Sequence, residues 1–161
     1  MRCLPLKVLH FSHMEIMPLS WWEAFVHTAP HLTFLDISVC PRRTAEDALD
    51  IMCIQVPRIL ASVPLTYISL TPKGHAFLVC DAASPESHSL EADEAIALSY
   101  ATNICTLKYI DIYKEIEIFT GATTWWKVVR SSSSGDEVGV QVKTLEECDG
   151  TAMKRWYDLE A

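Results

Sequence analysis

One short pattern recurs four times along this chain and limits its fold more than any other feature. Residues 6–11, 32–37, 65–70 and 107–112 each read L-x-x-[LI]-x-[LIF]. In the last three, the first two x positions hold Thr or Lys and then an aromatic residue: Thr33-Phe34, Thr66-Tyr67 and Lys108-Tyr109. The closing apolar pair alternates with polar residues, which is the two-residue period of a strand with one buried face.

A helical stretch precedes each of the last three segments. Trp22, Phe25, Val26 and Ala29 lie at i, i+3, i+4 and i+7, with Ser20 as the expected N-cap. Ala45, Ala48, Leu49, Met52, Val56, Ile59 and Leu60 continue one stripe, opened by Thr44 and Asp47 and interrupted by Pro57, which should kink or split the helix. Ala92, Ala95, Ile96 and Ser99 make a weaker stripe, with Glu91, Asp93 and Glu94 where a helix dipole favours acids.

The unit is therefore strand, loop, helix, loop, strand. Its spacing grows from 26 to 33 to 42 residues, and an insertion at 74–89 accounts for the longest. Strand-plus-helix units bearing LxxLxL are the leucine-rich-repeat signature, in which stacking buries what one unit alone leaves open. The expected fold is α/β: a short, irregular solenoid of parallel strands over residues 1–119, with helices on its convex side. Residues 120–161 are expected to add a hairpin and a short helix that cap it. The hairpin strands are Trp126 to Arg130 and Val138 to Lys143, and the helix at 150–159 would carry Met153 and Trp156. The competing expectation is an ordinary α/β domain in which the pattern recurs by chance.

Composition narrows the function. Half of the 161 residues are hydrophobic, mean hydropathy is +0.15 and the net charge is −8. That balance supports a packed core and argues against a nucleic-acid or acidic-membrane binder. None of the five glycines has phosphate-loop spacing. Six cysteines without a CxxC pair read as free thiols in a reducing compartment. No secretory pattern or membrane-length apolar run is present, so the expected location is cytoplasmic or nuclear.

Residues 24–40 and 107–112 resemble leucine-rich repeats of the cysteine-containing type, with Cys40 where that type often places its cysteine. Trp125-Trp126-Lys127-Val128-Val129-Arg130, a Ser/Gly loop and Val138-Gly139-Val140-Gln141 resemble the tail of basidiomycete F-box/leucine-rich-repeat proteins. The resemblance implies a module whose repeats recruit a target. In such proteins an N-terminal F-box docks a ubiquitin-ligase scaffold. Here the first repeat begins at Leu6, so that docking part is expected to lie outside this sequence. No asparagine follows Phe11, Ile37, Leu70 or Ile112, so the usual asparagine ladder is missing and stacking must rest on apolar packing and cysteine.

The sequence names no catalytic site. His27 and His31 have helical spacing but lack a third ligand, and Pro30 intervenes, so no metal and no cofactor are expected. His75 and Cys80-Asp81 suggest a small thiol enzyme, but Phe77-Leu78-Val79 before Cys80 reads better as a buried strand. Another alternative is a truncated structural or decoy scaffold without independent activity.

Binding is better supported. Stacking the strands in phase aligns three columns away from the leucines: Val8, Phe34, Tyr67 and Tyr109; His10, Asp36, Ser69 and Asp111; and Ser12, Ser38, Thr71 and Tyr113. Phe34, Tyr67 and Tyr109 form an aromatic row beside a polar, partly acidic one, which suggests a groove for a basic protein or peptide. The competing expectation is that these aromatics complete strand packing, or that the helix at 150–159 covers them.

Overall fold

A computed structural model describes residues 6–13, 17–39, 50–72, 87–117, 120–132 and 138–160. The chain is a mixed α/β protein built on one open, six-stranded sheet whose spatial order, β1-β2-β3-β4-β5-β6, follows the sequence. β1 (Val8–His13), β2 (Phe34–Val39), β3 (Tyr67–Pro72) and β4 (Tyr109–Glu117) are parallel. β5 (Thr120–Ser132) and β6 (Val138–Thr144) then extend the sheet antiparallel, so the hairpin continues the same layer. Cys3, Cys40, the helix start at 44–49, and His75, Cys80 and Asp81 lie outside the described residues.

The four recurring segments pair in phase. Leu35, Ile68 and Ile110 form one buried column, and Ile37, Leu70 and Ile112 form another. Leu32, Leu65 and Leu107, the first leucines of their repeats, are completely buried. A fully buried leucine is worth about 1.5–3 kcal/mol, so these columns supply much of the driving force that aligns the strands.

The Thr or Lys at the first x position also has a structural role. The backbone N–H groups of Thr33, Thr66, Lys108 and Val128 donate in turn to the carbonyls of Lys7, Thr33, Thr66 and Lys108. The Thr33 and Thr66 hydroxyls reinforce this at 3.2 and 3.0 Å to the carbonyls of Lys7 and Thr33. Stacking is therefore not left to apolar packing and cysteine: a threonine ladder runs across the strand starts.

The helices between parallel strands pack on the leucine face. α1 (Leu19–Thr28) buries Trp22 and Phe25. Trp21 is half-buried, stacked on Phe25 with ring centroids 5.3 Å apart. Its N-cap position is Pro18, without a side-chain cap bond, and the expected Ser20 cap already lies inside the helix. A π-helical stretch, Asp50–Gln55, runs into α2 (Val56–Ile59) and a 3-10 turn, Leu60–Ser62. The change of ladder falls at Pro57, which has no N–H to donate. The Met52 carbonyl accepts from the Tyr100 hydroxyl at 2.8 Å, and the Cys53 carbonyl accepts from Ser99.

α3 (Ser87–Asn103) starts earlier than its acidic residues suggest. Asp93 does not serve the helix dipole. It is buried, with Oδ1 2.6 Å from Lys114 Nζ on β4. Arg130 of β5 closes the other end of α3, donating to the carbonyls of Ala101, Ile104 and Leu107 at 2.6–2.8 Å. The Ala101 carbonyl, in the last turn of α3, is among those a helix C-terminus leaves without internal partners. Among the described residues, no helix is long and apolar enough to cross a membrane.

Candidate functional site

The opposite face of the sheet carries the polar and aromatic columns. Val8, Phe34, Tyr67 and Tyr109 are register partners across β1 to β4, as are His10, Asp36, Ser69 and Asp111. The third column is paired through Ser12, Ser38 and Thr71. The β3–β4 pairing ends at Leu70 and Ile112, so Tyr113 is not paired into this column as expected; its ring lies over Gly121 of β5.

This face is covered by α4 (Glu147–Glu160), which crosses it diagonally from β5 to β1. At its start, Gly150 sits directly on Trp125, where an added Cβ would fall 2.2 Å from the indole. In the middle, Met153 joins the aromatic cluster, and in the last turn Tyr157 packs on Tyr67 and Tyr109, with centroids 5.3 and 5.9 Å away. At its end, Asp158 reaches His10 on β1. The chain returns over the face of the sheet, where the competing expectation set the helix at 150–159, and not over its end as a cap.

Of the predicted row, Phe34 and Tyr67 are completely buried and stacked on each other, with centroids 5.2 Å apart. Tyr109 is half-buried beside them. The helix face also differs from expectation. Tyr157 is its buried aromatic, while Trp156 is half exposed and turned outward. Gly150, Met153 and Tyr157 fall at i, i+3 and i+7, a stripe readable in the sequence but masked by the bulkier tryptophan.

A buried acceptor centre lies in the polar column. Asp111, 1% exposed at its side chain, accepts from the Tyr67 hydroxyl at 2.8 Å and from the Ser69 hydroxyl at 2.9 Å. Lys154 of α4 lowers its ammonium into this centre, 2.7 Å from Ser69 Oγ and 3.3 Å from Asp111 Oδ2. Burial pushes the Asp111 carboxyl above its usual range, while the lysine charge and the three donors pull it back. Burial also raises the Tyr67 hydroxyl far above its ordinary value, so it stays a neutral donor. The site is thus built to accept an ammonium group, with two hydroxyls fixing the carboxylate that receives it.

A second, more exposed centre sits at the β1 edge. His10 Nδ1 lies 3.1 Å from Asp36 Oδ2, and its Nε2 lies 2.9 Å from Asp158 Oδ1. The hydrogen bond to Asp36 raises the His10 pKa most; burial opposes it, and the bond and charge of Asp158 add to the rise. His10 and Asp36 were legible as column neighbours, whereas Lys154 and Asp158 were not, because nothing in the local pattern sets α4 on this face.

Among the described residues, no group of three His, Cys, Asp or Glu side chains is arranged to hold a metal ion. The Cys53 thiol is pushed up to about 12 by burial, far from a reactive thiolate. Comparison with family models, with curated proteins and with solved structures returned no match.

Proposed function

We propose that the chain is a non-catalytic protein-recognition module of the leucine-rich-repeat type, resembling the substrate-binding repeats of F-box ubiquitin-ligase adaptors. Two features support the repeat reading. The parallel strands follow one another in sequence order, and their L-x-x-[LI]-x-[LIF] segments pair in phase. The recognition surface is the polar face, and its partner is a basic protein segment, preferably helical. Any ubiquitin-ligase scaffold would be engaged through an F-box outside this sequence.

The observation that carries the reading is Lys154 seated on Ser69 and Asp111. An unpaired buried carboxylate is costly, so this face demands a cationic occupant. α4 supplies one from within the chain, and a partner helix bearing a lysine beside an aromatic would make the same contacts.

The test is affinity capture by the parent chain and by an Asp111→Asn variant, isosteric but without the charge that receives the ammonium group. The expected result is a defined set of basic partners, identified by mass spectrometry, that the variant loses while its circular dichroism is unchanged. Capture of the same proteins by both chains contradicts the proposal.

A further inference from the structure

We propose that His10 is a pH-dependent latch that holds α4 closed over the polar face. The proposal rests on reading that face as the recognition surface, and it concerns how access to the surface is controlled.

Both ring nitrogens of His10 face carboxylates, Asp36 from β2 and Asp158 from α4. Carboxylates only accept hydrogen bonds. A neutral imidazole has one N–H, so it satisfies one partner and turns a lone pair towards the other. The imidazolium donates to both and places a positive charge between two negative ones. On deprotonation, β2 and α4 are left with two facing carboxylates and one hydrogen bond. Among the described residues the ring also meets Phe34, whose centroid is 5.4 Å away and which carries no charge. Asp36 and Asp158 are the titratable groups that act on His10.

The helix is suited to such control because it is lightly held. Among its described residues only Gly150 and Tyr157 are buried, and the last turn, where Asp158 sits, has no buried anchor beyond Tyr157. Elements with few buried contacts open at low free-energy cost.

The direction follows from the raised His10 pKa. The latch is fully engaged below the ordinary histidine value of 6.5 and is lost as pH rises through the higher folded-state value. Near-neutral alkalinisation therefore frees the helix end, and mild acidity shuts it.

Hydrogen exchange of the full chain at about pH 5.5 and about pH 8, corrected for intrinsic rates, tests this, with α3 as internal reference. The protection of α4 relative to α3 is expected to fall by roughly three-fold at the higher pH, the scale of two partly exposed ion pairs. In His10→Gln the difference should vanish. Asp158→Asn, a half-exposed position, gives the same readout should His10→Gln fail to fold. Equal relative protection at both pH values in the parent, or an unchanged fall in either variant, overturns the latch. No pH effect in the parent chain, with lysine-dependent partner binding intact, removes the latch alone. A persistent pH effect without partner binding removes the recognition reading alone.

Discussion

Lys154 of α4 and Asp111 of β4 meet beneath the helix, Nζ 3.3 Å from Oδ2, with the Ser69 hydroxyl bonded to both. The carboxylate is buried, whereas the lysine is one-third exposed, so the two partners are not equivalent. Lysine keeps part of its hydration; aspartate depends on the protein for its counter-charge.

Replacing the lysine therefore costs more than a surface pair would. Lys154→Met is expected to destabilise the protein by about 1–3 kcal/mol, the penalty for a buried charged acceptor that loses a partner. Adding Asp111→Asn to Lys154→Met should recover part of that loss, because the uncompensated charge goes with the aspartate. Urea denaturation of the parent, both single variants and the double variant measures the coupling. Strictly additive effects would separate the two residues.

Gly150 gives a prediction whose sign opposes helix propensity. On an exposed helix, glycine to alanine gains about 1 kcal/mol. Here the new Cβ would lie 2.2 Å from the Trp125 ring, so α4 must lift away. Gly150→Ala is expected to expose Trp125, shift its fluorescence to longer wavelength and reduce amide protection along α4 while the sheet remains intact. An unshifted spectrum with raised stability would contradict the close approach.

The threonine ladder makes a third prediction. Thr33→Val and Thr66→Val preserve shape but remove one hydroxyl bond each, to the Lys7 and Thr33 carbonyls. Each is expected to cost about 1 kcal/mol, with serine at either position retaining most of it. Thermal unfolding of the four variants provides the comparison. Valine variants as stable as the parent would show that the backbone bonds alone fix the strand starts.

The legible and illegible parts of this fold have different physical origins. The columns at Phe34–Tyr67–Tyr109 and Asp36–Ser69–Asp111 follow from period-two alternation and from leucines that must share one buried layer. Once the strands stack in phase, their other face is determined. The position of α4 has no such local cause. Its sheet-facing stripe is carried by a glycine, a methionine and a tyrosine, while the more conspicuous Trp156 points outward. Lys154 finds Asp111 across 43 residues, a pairing that depends on where the β5–β6 hairpin returns the chain. Asp93 misled for a related reason. An acid near a helix start normally serves the dipole, but this one faces the sheet and meets Lys114. Pro57 and the hairpin strands were legible because proline chemistry and strand composition act locally.

The polar face is proposed to accept a lysine-bearing helix. The measurement is titration of a labelled peptide of residues 145–160 into the full chain carrying Lys154→Ala and Tyr157→Ala, which remove two contacts of its own helix while leaving every sheet residue in place. Saturable binding is expected, falling at least about ten-fold when the peptide's lysine is replaced by alanine, a difference of about 1.4 kcal/mol. Equal affinity for the two peptides, or no binding above a scrambled control, would contradict it.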